Sequence, residues 1–407
     1  MSERAKRAIE ECRLIATMSE EPGRTTRRFL TAQFHQVHEH LRLRMEDLGM
    51  IVRVDAVGNL RGLWKPAGAS DKRLILGSHI DTVPDAGAFD GVLGVVLALD
   101  WVQIAKDISL PLALEVIAFS EEEGVRFGFP FIGSRAVAGR LDPSILACKD
   151  AEGTSIRQAI ANFGLDPENL EDAFAGQHAL GFVEIHIEQG PVLEAEGLQV
   201  AAVTGIAGQT RLDLTFIGHA SHAGTTPMHL RHDALAAAAE WIIRVEALAF
   251  KTEGLVATVG KLEPHPNAGN VIAGSAALSL DIRHVRDTTR KIAVDELLEQ
   301  ANSIAGRRGL TLEWIEKMEV PSVLMDDRLT ALMTDAIEAA GFPAQVMPSG
   351  AGHDTMIMAG CMPTAMLFLR SPGGVSHHPD EAVREEDVEA SLQVGEKFLQ
   401  RLAAEVR

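Results

Sequence analysis

The chain has 407 residues, 46% of them hydrophobic and 23% charged, a balance expected of a soluble globular protein of two or three domains. Its formal charge of −19 argues against nucleic acid or an anionic membrane as a partner, and no apolar run reaches the roughly 18 residues of a membrane span. Three cysteines, Cys12, Cys148 and Cys361, lie far apart with no CxxC, so neither a disulfide framework nor a cysteine zinc site is expected, which fits a reducing cytoplasm. The N-terminus mixes acidic and basic residues and has no apolar core of a signal peptide.

Glu3 to Met18 has an amphipathic pattern, and Thr25 to Leu48 reads as a longer helix closed by Gly49. Its histidines, His35, His38 and His40, read as a solvated or partly packed face. A short strand follows at Ile51 to Val54, then a turn, Val57 to Leu60, into another. Leu74 to Gly77 has the composition of a buried strand, and His79 and Asp81 stand at its carboxyl end. Asp90 comes eleven residues after His79, just before an apolar helix from Val92 to Lys106. A second buried strand, Pro111 to Ser120, runs straight into Glu121-Glu122-Glu123. A loop-rich region from Val125 to Pro143 leads to helical segments through Phe174. A third strand, Gly181 to Gly190, carries His186 and Glu188 near its end. Three strands thus deliver imidazoles or carboxylates at one end, the edge where open α/β sheets bind ligands.

The pattern changes near residue 208. Thr210 to Ile217 alternates polar and apolar residues, as a strand with one exposed face does. A Gly- and His-rich loop, an alanine-rich helix from Asp233 to Leu248, strands Leu255 to Lys261 and Ala276 to Arg283, a helix from Arg290 to Arg307 and a strand from Thr311 to Lys317 follow. The order β-α-β-β-α-β fits a ferredoxin-like α+β unit inserted at residues 209–321. The flanking residues 1–208 and 322–407 form an α/β domain. Its last part holds a helix from Asp327 to Ala340, a strand from Thr364 to Leu369 and a final helix from Glu385 to Val406.

The candidate metal ligands are His79, Asp90, Glu123, His186 and His377. Three imidazoles and two carboxylates suit two metals about 3.5–4 Å apart with one carboxylate bridging, and Asp90, at a helix start between strand ends, is the best placed bridge. Nitrogen and oxygen donors accept Mn, Zn, Co or Ni alike. Asp81 could take the second ring N–H of a metal-bound histidine. Glu122, beside a ligand but pointing differently at a strand end, suits a general base. The competing interpretations are a polar turn with one satisfied histidine at 79 and a solvated acidic turn at 121–123. Arg283 suits a fork for a substrate carboxylate or a surface salt bridge.

The segments GSHIDTV, FDG, EEEGVRF, HIEQG, SHAGTTPM, DIRH, SGAGHD and GGVSHHP, taken in order, resemble the dinuclear metal amidohydrolases that include allantoate amidohydrolase and N-carbamoyl-L-amino-acid hydrolase, relatives of aminoacylase and peptidase T. The resemblance spans roughly residues 10 to 400. It implies a metallopeptidase-type catalytic domain with one divalent ion on His79, Asp90 and His186 and a second on Asp90, Glu123 and His377. The motif Ser-His-x-Pro aligns with Ser376 to Pro379, which selects His377 over His378. The resemblance also implies Glu122 as base, and substrate contacts from Gln189, His222, Asn270, Arg283 and the Gly350 to Gly352 backbone. His222 could stabilise an oxyanion across the interface of a homodimer, and the inserted domain would be the lid and dimer contact. The expected substrate is a small ureido carboxylate. GSHIDTV and EEEGVRF favour allantoate, with N-carbamoyl-L-amino acids second. HIEQG disfavours a peptidase or aminoacylase. A non-catalytic dimeric metal-binding protein is the alternative of another class, and the full ligand set with its base argues against it.

Overall fold

The computed structural model describes residues 3–176 and 178–406. In chain order these form α1 (Glu3–Ala16), α2 (Ala32–Asp47), β1 (Ile51–Val54), β2 (Leu60–Trp64), β3 (Arg73–His79), α3 (Val92–Asp107), β4 (Ala113–Phe119), α4 (Ile132–Val137), α5 (Ile156–Asn162), β5 (Ala179–Ile187), α6 (Val192–Glu196) and β6 (Val200–Ile206). Next come β7 (Gly208–Ile217), β8 (Ser221–His222), α7 (Ala234–Lys251), β9 (Val256–His265), β10 (Val271–Ile272), β11 (Ser275–His284), α8 (Asp287–Arg308), β12 (Thr311–Val320) and β13 (Val323–Leu324). The chain closes with α9 (Asp327–Ala339), β14 (Val346–Ser349), α10 (Asp354–Met358), β15 (Thr364–Leu369) and α11 (Glu385–Val406). Two compact units result: one takes the residues up to Thr204 and from Met325 on, the other Gly205–Leu324.

The first unit is built on a mixed sheet in the order β1-β2-β4-β3-β5-β15-β6, with β14 also on β6. β4, β3, β5 and β15 are neighbours and parallel, whereas β1, β2 and β6 run antiparallel to theirs. The parallel strands are almost wholly buried, which is why they read as unbroken apolar runs. Their common direction puts the ends of β3, β4, β5 and β15 on one edge. α3 is buried from Val92 to Val102 on every side, as its apolar sequence requires, with Asp100 the one charged residue there and paired to Arg44 at 2.9 Å. α1 and α11 pack on it, and Trp101 meets Phe398 at 6.0 Å between ring centroids.

Gly94 sets how closely α3 lies on the sheet. A Cβ there would stand 2.1 Å from the Ile185 carbonyl oxygen and 2.8 Å from Ser78 Cβ. Because the nearer obstacle is backbone, the helix would have to lift. Gly94→Ala should cost about 1–3 kcal/mol, the usual range for overpacking, measured by urea unfolding of the metal-free protein. An unchanged midpoint would refute this close packing.

Where Thr25 to Leu48 reads as one helix, only Ala32–Asp47 is helical. The preceding segment is extended because Arg27 is buried there. Its backbone N–H donates to Thr82 Oγ1 at 2.9 Å, and its guanidinium donates to the carbonyls of Ile80, Ile15 and Met18 at 2.6, 3.1 and 3.1 Å. Those contacts hold it against the strand-end turn at 80–82, and a helix would break them. Within α2, His38 is buried among Phe34, Val37, Leu41 and Met45, so its face is core, whereas His35 is exposed and His40 half-buried as expected. The loop-rich stretch 125–143 contains α4, and α6, β6, β14 and α10 are further elements absent from the sequence assignment.

The second unit has a four-stranded antiparallel sheet in the order β12-β7-β11-β9. α7 and α8 cover one face: Leu212, Leu214, Phe216, Leu278 and Leu280 pack with Trp241, Val245 and Leu297. Trp241 Nε1 donates to the Leu297 carbonyl at 2.9 Å, joining the two helices. This is the split β-α-β arrangement of ferredoxin-like units. The unit begins and ends on one short antiparallel pairing, Gly205 and Ile206 with Leu324 and Val323.

Candidate metal centre

Four strand ends of the first unit converge on one cavity of about 230 Å³. β3 supplies His79, the turn after β4 supplies Glu122 and Glu123, β5 supplies His186, and the loop after β15 supplies His377. Asp90, just before α3, lies between them. Its Oδ1 stands 3.2 Å from His186 Nε2 and 3.6 Å from His79 Nε2, and its Oδ2 stands 3.1 Å from His377 Nε2. Glu123 Oε1 is 3.5 Å from that same His377 nitrogen. The outer ring nitrogens are engaged elsewhere: His79 Nδ1 with the Asp81 carbonyl at 3.0 Å, and His186 Nδ1 with the Ile187 carbonyl at 2.8 Å. Donation of Nδ1–H to a carbonyl leaves Nε2 as a lone pair aimed inward.

That inward arrangement tests the metal. Asp90 Oδ1 and His186 Nε2 are buried and lack hydrogen-bond partners among the described residues. Two such acceptors facing each other would be costly without a shared cation. His79, Asp90 and His186 form one possible ligand group, and Asp90, Glu123 and His377 another, each with its donor atoms within 4.8 Å. His79, Glu122 and Glu123 form a third grouping on the same scale. The donor chemistry therefore fits divalent metal.

Burial opposes charge on Asp90, but the close approach of His186, His377 and His79 holds its carboxyl well below the usual range. Burial, then Glu123, pushes the Glu122 carboxyl well up, with His79 acting the other way. Burial and Asp90 raise Glu123 to about 7. His377, hydrogen-bonded to Asp90, is pushed up to about 9. Perturbation of this density is typical of functional sites.

Asp81 faces His79 as its spacing suggests, its Oδ1 3.5 Å from His79 Nδ1, and has a second part as well. Its carbonyl takes the His79 proton, while its carboxylate accepts the backbone N–H groups of Glu122 and Glu123, both at 3.0 Å. It thereby orients the acidic turn. Gly91 is required beneath the site: its φ is +66°, and a Cβ would lie 2.5 Å from the His79 ring. Three cavity residues, Phe131, Gln189 and His377, hold left-handed φ values of 66°, 59° and 56°. Such backbone is uncommon for non-glycine residues and clusters at functional sites.

Gln189 Nε2 reaches Asp90 Oδ2 at 3.2 Å and Ser376 Oγ at 3.1 Å. Gly350 is exposed on the loop whose next residues, Ala351 and Gly352, line the cavity. His222, Asn270 and Arg283 belong to the second unit. There His222 and Asn270 are brought together: Val271 pairs with His222, and the Ala223 N–H donates to the Asn270 carbonyl at 2.9 Å. Arg283 donates twice to Asp281, at 2.9 and 3.0 Å, and Asp281 also accepts from Gln209 and Arg211.

A family model described as peptidase family M20/M25/M40 matches residues 75–403. The chain belongs to peptidase family M20/M25/M40. Within this family it is 39% identical to an N-carbamoyl-L-amino acid amidohydrolase of Geobacillus stearothermophilus, across 91% of this chain and 92% of that protein. It is 37% identical to an allantoate deiminase of Arabidopsis thaliana, across 85% and 73%. Among solved structures it is similar to a hydantoinase/carbamoylase-family amidase of Burkholderia multivorans, with a TM-score of 0.91, 30% identity and coverage of 98% and 97%. As an M20-family α/β protein the chain is a hydrolase with a divalent-metal site.

Several supporting residues of this M20 site escape the sequence. Glu184, wholly buried, accepts from Ser78 Oγ at 2.9 Å and from the Thr355 N–H and hydroxyl at 3.0 and 2.6 Å. The His353 ring lies 4.5 Å from that of His186 and bonds Ser349 Oγ at 2.9 Å. Period-two alternation in VEIHI places Glu184 and His186 on one face of β5, the only available hint of the first.

Proposed function

We propose that this M20-family hydrolase cleaves a ureido C–N bond of a small carboxylate, with allantoate as its first substrate and ureidoglycine, ammonia and carbon dioxide as products. The observation that carries this is the convergence of His79, Asp90, Glu123, His186 and His377 on one cavity with Glu122 beside them. The allantoate deiminase and N-carbamoyl amidohydrolase names of similar proteins supply the substrate class.

In this reading His79, Asp90 and His186 hold one divalent ion and Asp90, Glu123 and His377 a second, with Mn, Zn, Co and Ni all compatible with the donors. Such ions, when bound, polarise a carbonyl and acidify water. Glu122 takes the proton of the attacking water and returns it to the leaving nitrogen. The new C–O bond replaces C–N, ammonia departs, and the carbamate left behind releases carbon dioxide. Gln189 and the Gly350 backbone contact the substrate. The second unit acts as a lid, with His222 stabilising the oxyanion and Asn270 and Arg283 holding the carboxylate. Asp281 keeps the Arg283 fork oriented. In this reading the second unit also makes the contact of a homodimer. The free cysteines support a cytoplasmic location.

The 39% identical Geobacillus relative favours a second reading, N-carbamoyl-L-amino-acid hydrolysis by the same residues. Ammonia release by manganese-reconstituted protein, with allantoate beside a panel of N-carbamoyl-L-amino acids and a chelated control, separates the two. Chelator-sensitive release from allantoate alone is expected. Release from the carbamoyl panel instead would replace the substrate, and silence on all of them would sink the ureido assignment.

A further inference from the structure

One buried carboxylate outside the ligand set touches both loops that bring ligands from distant parts of the chain. Glu381 is 5% exposed. Its Oε1 accepts the backbone N–H of Phe89 at 2.8 Å and of Asp90 at 3.0 Å. Its Oε2 accepts the hydroxyl of Ser376 at 3.2 Å, the residue before His377. Ser376 Oγ also lies 3.3 Å from Asp90 Oδ2, so its single proton serves one carboxylate at a time.

The fit is close. A Cβ on Gly87 would stand 2.3 Å from Glu381 Cβ and 2.5 Å from its Oε1, so the chain leaves room for this side chain only by having glycine there. The two amides that Glu381 accepts lie before the first turn of α3, where no intrahelical carbonyl serves them; buried, they need a partner. On the other side, His377 has φ 56° just before a turn closed by the Glu381 N–H on the His378 carbonyl at 3.0 Å.

We infer that Glu381 is a positioning residue that ties the Asp90 loop to the Ser376–His377 loop, so that a carboxylate and an imidazole 287 positions apart in the chain meet a cation together. The inference rests on the metal assignment made above. It acts through Asp90 and His377 and requires no contact with substrate.

The test uses the full chain, stripped of metal, as wild type, Glu381→Ala and Glu381→Gln. Cobalt(II) binding is measured by calorimetry, the cobalt site by its visible spectrum, and the 86–91 backbone by hydrogen exchange. Glu381→Ala should bind cobalt about 10–100-fold more weakly, the usual cost of losing an outer support of metal ligands. It should also change the spectrum and speed exchange at Phe89 and Asp90. Glu381→Gln keeps an amide oxygen for the same two N–H groups and should restore their protection and much of the affinity. Wild-type affinity and spectrum in Glu381→Ala, or unchanged exchange at Phe89 and Asp90, would overturn the inference. Faster exchange in Glu381→Ala with no cobalt uptake by the wild type would instead demonstrate the loop tie and overturn the metal assignment.

Discussion

Glu122→Gln should lower kcat by about 10²–10⁴-fold, the range for loss of a general base, while metal content and thermal stability stay near those of the parent. Glutamine keeps the size of the side chain but cannot carry a proton away from water. Glu122 lines the cavity, is 8% exposed and stands within reach of His79 and Glu123. Burial raises its carboxyl, and a nearby divalent cation would lower it again, toward a value suited to exchanging protons near neutrality. Steady-state ammonia release, with metal analysis of the same samples, checks this. Undiminished turnover would move the base elsewhere.

Asp90→Asn should strip nearly all bound metal and lower kcat/KM by about 10³-fold or more, roughly 4 kcal/mol of transition-state stabilisation. Asp90 is the one residue shared by both ligand groups, with three imidazole nitrogens within 3.6 Å of its two oxygens. His377→Ala belongs to one group only and should leave about half of the metal in place. Elemental analysis of the dialysed proteins gives the stoichiometries. If Asp90→Asn and His377→Ala lost the same fraction, Asp90 would not be a bridge.

His79, Glu123 and His186, which converge on the cavity, were legible because each stands at the end of a strand long and apolar enough to identify. Leu74 to Leu76, Ala113 to Phe119 and Ala179 to Ile187 are such runs, and chemistry at their ends stands out. The inserted unit was legible for the complementary reason: its sheet has one open face, so alternation survives in β7 and β11. What supports the ligands was not legible. Arg27 reads as one more basic residue of a helical pattern, and only the carbonyls of Ile15, Met18 and Ile80 explain why the chain is extended there. Glu381 and Glu184 work through partners 292 and 171 positions away, and local sequence carries no trace of such pairings. The left-handed backbone of Gln189 and His377 is equally silent, because neither is a glycine.

The strand order has a consequence for how the protein is made. β15 is synthesised after every other described strand, yet it lies between β5 and β6, and its following loop delivers His377. Until residues 364–369 leave the ribosome, β5 and β6 each present a bare edge, and the second unit, complete in its own local pairings, has already emerged. Exposed strand edges invite association with other chains. The nascent protein should therefore be most vulnerable to aggregation in the interval between completion of the insert and arrival of β15. The group of Asp90, Glu123 and His377 is brought together only in chains that have closed their sheet.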